Sequence, residues 1–166
     1  MTHPISPGTT LKFWQDFEIQ TLDLKAHTLG LIGYYCPAIK ALFPGDALFS
    51  AGCGRLFEGT GQNLFESMQT IYELPDETWV YCTHEYTSSN LKFANTVVKN
   101  KNIQTYSAEV KEKREQDQAT VPFHLGLDKK INPFLLTCNS EFQKGFPFQS
   151  PAELALHLRQ SKDNFR

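Results

Sequence analysis

The sequence has no CxxC pair among its four cysteines, Cys36, Cys53, Cys82 and Cys138, which excludes a zinc ribbon and a thioredoxin-like redox motif. Their wide, irregular spacing suits free thiols in a reducing compartment. It has no excess of one charge: 16 Lys and Arg stand against 18 Asp and Glu, for a net charge of -2. No global field therefore recruits nucleic acid or a membrane surface, and any basic site must be local. No apolar run approaches a membrane span, and the first residues, MTHPISPGTT, lack both the basic start and the apolar stretch of a signal peptide. These absences lead to the expectation of a cytoplasmic chain with no nucleic-acid and no membrane partner. What is present is globular: 166 residues, 40% apolar and 13% aromatic, enough to build a packed core in one ordinary domain or two small ones.

The apolar pattern divides the chain. Residues 11–24, LKFWQDFEIQTLDL, alternate well enough to predict one strand, with a slip near Leu22 that marks a bulge or the strand's end. LIGYYC at 31–36 and KALF at 40–43 are short strand-like runs separated by Pro37. Leu64, Phe65, Met68, Ile71 and Tyr72 then form a helical face, with Thr60 as N-cap and Pro75 beyond the end, and WVYC at 79–82 is the next strand. From Ser89 onward the period is helical, with one helix around Leu91 to Val98 and a second from Ile103 into the charged tract KEKREQDQ, read as a solvated face. Residues 120–136, punctuated by Pro122, Gly126 and Pro133, read as a long connecting loop. Ser150, Pro151 and Glu153 predict the start of a last helix carrying Leu154 and Leu158. The expected organisation is an α/β part over residues 1–86 and a helical part over residues 87–166.

Three candidate metal ligands each follow a strand-like run: His27 after TLDLKA, Asp46 after ALFPG and His84 after WVYCT. Strand ends in α/β sheets gather ligands because side chains leave the core there while the backbone stays rigid. Two imidazoles and a carboxylate suit zinc, iron or manganese, with hydrogen-bonded structural histidines as the alternative. Arg55 stands among glycines in AGCGRLF, where a sharp turn would let it pair with an anion or leave it as a surface turn residue. Tyr86, beside His84 in HEYT, is a candidate for binding or for packing. Arg159 and Lys162 are three apart on the final helix, on one face, where they either hold a carboxylate together or complement the helix dipole.

AHTLG at 26–30, PGDALFSAGCGRLFEGT at 44–60, YCTHEYTSSNLKFA at 81–94 and LRQSKDNF at 158–165 together resemble the glyoxalase II family, hydroxyacylglutathione hydrolases of the metallo-β-lactamase superfamily, in register from about Phe17. The resemblance implies half of an αββα sandwich followed by an all-helical, substrate-binding C-terminal domain. It implies that His27 and His84 each bind one of two divalent metals, zinc, iron or manganese, that Asp46 bridges them, and that Arg55, Tyr86, Arg159 and Lys162 hold the glutathione portion of the substrate. His84 would also border the substrate, and Phe57 occupies a position where some members carry a substrate-contacting tyrosine. The implied reaction is hydrolysis of S-D-lactoylglutathione to D-lactate and glutathione, with metal-held hydroxide attacking the thioester carbonyl and a thiolate leaving.

The chain departs from the family in three places. The THxHxDH motif that supplies the remaining ligands is absent, and no two of His3, His27, His84, His124 and His157 stand two to four residues apart. The usual Pro-Gly before the first matched histidine is Lys25-Ala26, which loosens the turn aiming His27, and the usual histidine four residues later is Leu31. With three of the expected ligands a binuclear site does not close. Two readings follow. Either the chain is part of a working hydrolase completed by a missing N-terminal half, or it is a catalytically dead fragment acting at most as a glutathione-binding or interaction module. Another superfamily enzyme, such as a persulfide dioxygenase, is a third, which the ending RQSKDNF argues against. Half a sandwich also leads to the expectation of an uncovered sheet face and self-association.

Overall fold

A computed structural model describes residues 4–14 and 17–165. Six strands form one mixed sheet in sequence order: β1 (Thr10–Lys12), β2 (Glu18–Asp23), β3 (Ile32–Cys36), β4 (Ala41–Phe43), β5 (Trp79–Val80) and β6 (Phe123–His124). All neighbours are antiparallel except β4 and β5, which pair parallel with Leu42 opposite Val80. A parallel pair needs a long crossover, and this one contains the glycine-rich stretch and helix α1 (Gly61–Tyr72). Thr60 caps α1 through Asn63, whose side chain returns to the Thr60 backbone, so both ends of a capping box are made.

Five further helices follow: α2 (Thr87–Val97), α3 (Lys101–Glu115), α4 (Leu125–Ile131), α5 (Ser140–Gln143) and α6 (Pro151–Asp163). Strand alternation turns Tyr35, Leu42, Val80 and Phe123 to one face, where they are buried under Leu64, Met68 and Ile71 of α1 and Leu154 and Leu158 of α6. This core draws on both the α/β and the helical parts. A second cluster joins Leu91 and Ala94 of α2 to Ile103, Tyr106 and Val110 of α3 and to Ile131. It also includes Ala51 of the glycine-rich stretch, which ties that loop to the helices.

Two expectations need correction. The single strand predicted over 11–24 is a hairpin, β1 and β2, whose turn closes through Phe13 N–H to Phe17 O at 3.0 Å. Residues 15 and 16 of that run lie outside the described residues. The predicted loop over 120–136 contains β6, α4 and the start of a 3₁₀ turn, Leu135–Cys138. Its buried positions, Leu125, Asp128 and Ile131, have helical spacing, but an aspartate in the middle of the stripe hides the apolar period.

Candidate functional site

Asp46 sits in the loop leaving β4, with an imidazole at each carboxylate oxygen: His27 Nε2 is 3.3 Å from Oδ2 and His84 Nε2 is 3.5 Å from Oδ1. The Thr83 hydroxyl donates to Oδ1 as well. His27 follows the end of β2, and its Nδ1 is 2.8 Å from the Arg55 carbonyl oxygen. A carbonyl only accepts, so Nδ1 carries the proton and Nε2 is the nitrogen turned to Asp46. Lys25-Ala26 therefore aims His27 without the family's Pro-Gly. Ala26 is buried, and Gly59 donates its N–H to the Ala26 carbonyl at 3.0 Å, so the loop's far end pins the turn. A Cβ on Gly54 would collide with the Asp46 carbonyl and crowd His27 Nδ1; glycine is required there by close approach.

The site opens into a cleft of about 560 Å³, and all eight residues singled out from the sequence line it. Phe57, largely exposed, lays its ring 4.7 Å from that of His27. Tyr86 stacks on His84 at 4.9 Å and meets Phe49 edge-on at 5.2 Å. On the opposite wall Lys162 donates to the Ser89 carbonyl at 3.1 Å, and burial lowers its pKa. Arg55, largely exposed at the edge of the cleft, has its Nε 3.6 Å from Asp163.

Arg159 differs from the others because its side chain is only 5% exposed and its guanidinium is already engaged. It donates to the Cys53 carbonyl at 2.8 Å and to Asp163 at 2.9 Å, and Nε has no partner among the described residues. Arg159 thus braces the loop to α6, while Lys162 and Arg55 present charge to the cleft. Burial also pushes the Cys53 thiol up to about 11, so it stays protonated and is no nucleophile at neutral pH. Asp163, Thr83 and Phe49 also shape the site although sequence reading did not single them out. Asp163 stands four residues after Arg159 on a helix, a spacing that favours an ion pair, and Thr83 adjoins His84; Phe49 carried no signal beyond its place in the loop.

Among the described residues no group of three or more His, Cys, Asp or Glu is arranged to hold a metal ion. The donor chemistry nevertheless suits two metals in part. Ligand atoms about 2.1 Å from a tetrahedral metal lie roughly 3.4 Å from one another, close to the 3.3 and 3.5 Å separating the imidazole nitrogens from the Asp46 oxygens. Each position so defined would have one nitrogen and one oxygen from this chain, short of the three protein ligands usual in a catalytic site.

Residues 85–165 match the family described as hydroxyacylglutathione hydrolase C-terminus. The whole chain aligns with the hydroxyacylglutathione hydrolase of Nitrosomonas europaea at 41% identity, covering 100% of this chain and 66% of the relative. The namesake from Shewanella baltica is 43% identical, with 99% and 67% covered. The chain belongs to the hydroxyacylglutathione hydrolase family. The enzyme of Edwardsiella ictaluri is 48% identical over 89% of this chain and 60% of its own length. The chain thus spans about two thirds or less of the length of these family members. The fold likeness extends to ETHE1 from Myxococcus xanthus, with a TM-score of 0.59 at 20% identity over 98% of this chain and 52% of that one. A metallo-β-lactamase from Staphylococcus aureus gives a TM-score of 0.58 at 17% identity, with 97% and 42% covered. These two likenesses establish the metallo-β-lactamase fold.

Proposed function

We propose that the chain forms the substrate-binding wall and part of the metal centre of a hydroxyacylglutathione hydrolase that cleaves S-D-lactoylglutathione to D-lactate and glutathione. The observation that carries this reading is the Asp46 carboxylate held between His27 and His84 at one end of a cleft whose other wall presents Lys162 and Arg55. His27, His84 and the two oxygens of Asp46 would hold two divalent metals, zinc, iron or manganese. Such metals supply a nucleophilic hydroxide at neutral pH and polarise the thioester carbonyl. Thr83 and the Arg55 carbonyl orient Asp46 and His27. Lys162 and Arg55 pair with the carboxylates of the glutathione portion, and Arg159 holds the backbone that carries Arg55. Tyr86 and Phe57 flank the histidines and keep water from the thioester side.

The isolated 166-residue chain, on this reading, binds glutathione but does not turn over the thioester, because each metal position has two ligands from this chain. Further ligands come from another segment of the protein or from a partner chain. We place the protein in the cytoplasm, a reducing compartment that suits four free cysteines. The test is calorimetric titration of the purified chain with glutathione, alongside hydrolysis of S-D-lactoylglutathione with added zinc, iron or manganese. Saturable binding without hydrolysis is expected. Turnover would show that the site closes by itself, and no binding would remove the family's substrate from this cleft.

A further inference from the structure

The turn between Asp46 and Arg55 is held from a distance by a buried polar cluster that the reaction does not use. Phe49 and Gly52 exchange backbone hydrogen bonds at 3.0 and 2.9 Å, and Ala51 sits between them at φ 55. A left-handed alanine brings its Cβ too close to the neighbouring carbonyl, so something must hold it. The Ala51 N–H donates to Asp128 Oδ1 at 2.8 Å. Asn132 Nδ2 donates to Phe49 O at 3.2 Å, to Gly52 O at 3.0 Å and to Asp128 Oδ2 at 2.8 Å. Asn90 Nδ2 reaches the Ser50 carbonyl at 3.1 Å, and the Tyr106 hydroxyl meets the Ser50 hydroxyl at 3.1 Å. Ser50, Asn90, Asp128 and Asn132 are all at least 96% buried.

We propose that Asp128 and Asn132 are positioning residues that fix the turn and so set the placement of Asp46, Phe49 and Arg55 in the cleft. The hydrogen-bond pattern permits little else. Asn132 Oδ1 accepts from Phe134 N–H at 3.0 Å, which points its amide NH₂ at the turn and at Asp128. Both Asp128 oxygens therefore face donors, Ala51 N–H on one side and Asn132 NH₂ on the other. An ionised carboxylate, the state above about pH 7 at which the comparison is made, satisfies both, whereas an amide in its place turns its own NH₂ toward one of them. Phe49, at one end of the turn, carries the ring that packs 5.8 Å from His84 and 5.2 Å from Tyr86. Beyond the other end, Cys53 is gripped by Arg159 and Gly54 lies against the Asp46 carbonyl. A shift of the turn moves both sides of the site.

The proposal rests in part on the functional reading above, and the experiment separates the two. Asp128→Asn, Asp128→Glu and Val110→Ala are compared with the unaltered chain in calorimetric titrations with glutathione and with cobalt(II), and in amide hydrogen exchange resolved by NMR. Val110 is buried on α3 and its apolar side chain gives the turn no hydrogen bond, so its variant reports a general loss of stability. Asp128→Asn should weaken both affinities about tenfold, the effect of losing one hydrogen bond to a charged group. It should also speed exchange at Ala51, Gly52 and Gly54, with partial rescue by Glu, while Val110→Ala changes neither. Loss of stability in Asp128→Asn with unchanged exchange over residues 46–55 would overturn the positioning role. If the unaltered chain takes up neither probe, the functional reading fails, and the exchange pattern still decides the positioning claim.

Discussion

At the residue scale the site depends on close backbone approach as much as on its charged groups. Gly54 is the sharpest case: an added Cβ meets the Asp46 carbonyl, a backbone atom that no rotamer change relieves. We expect Gly54→Ala to cost about 1–3 kcal/mol of stability through overpacking and to separate His27 from Asp46. Gly30→Ala, where nothing lies within 4 Å, should be neutral. Urea unfolding of both variants, with metal titration, checks this. A second prediction concerns pH. Burial raises the Asp128 carboxyl from 3.8 to about 7, against the hydrogen bonds from Asn132, Ala51 and Ser50 that pull it down. The folded state then keeps a proton that the unfolded chain has lost, so Asp128 contributes stability below about pH 4 that disappears as pH rises to about 7. The difference is on the order of 4 kcal/mol. Unfolding free energies of the unaltered chain and Asp128→Asn, compared across that range, should diverge with this sign; parallel curves would mean that the carboxyl titrates normally. That His27, Asp46 and His84 come together and share a cleft with Arg55 and Lys162 was legible in the sequence, because each residue follows a strand end or sits in a distinctive run. Asp128 was not, because a buried aspartate looks like any surface aspartate until its partners, 77 residues away at Ala51, are placed beside it.

At the scale of elements, local signals spoke clearly where capping and turn chemistry acted alone. Thr60 and Ser150 mark the starts of α1 and α6 in the sequence, and both cap those helices. Removing the Thr60 hydroxyl and its reciprocal bond from Asn63 should cost about 1 kcal/mol. Thr60→Ala should therefore lower the urea midpoint, and Thr60→Ser should restore it; equal midpoints for all three proteins would mean that tertiary packing alone sets the end of α1. Local signals failed where tertiary contacts decide. The segment 120–136 has proline and glycine at its boundaries and a polar residue on its buried stripe, so it reads as a loop. It folds because β6 finds β5 and because Asp128 and Asn132 find the turn across the molecule. The break between β1 and β2 is similar: an alternating run does not announce a hairpin when its turn lacks glycine and proline.

At the scale of the whole molecule the helices cover one face of the sheet, and the other face, although Cys36 and Ala41 are buried on it, is partly open among the described residues. Alternation that buries Leu42 and Val80 under the helices turns Phe43, Trp79 and Tyr81 to the other face, where they are 43, 39 and 41% exposed. Phe43 and Tyr81 stack at 5.2 Å, and Ile32 and Tyr34 continue the surface on β3. A sheet face in water is normally polar, and contiguous aromatic surface on a lone chain favours association. These side chains are about two-fifths exposed, so covering one is worth roughly 1 kcal/mol, and the three together favour association that grows with concentration against the cost of lost freedom. We expect the purified chain to associate with rising concentration in sedimentation velocity runs, with a shift in Trp79 fluorescence. Phe43→Lys combined with Tyr81→Lys should restore the monomer, because lysines on that face oppose stacking while leaving the buried face untouched. A monomer at every concentration, with unchanged fluorescence, would mean that the aromatic face tolerates water and that the stacking of Phe43 on Tyr81 is enough to shield it.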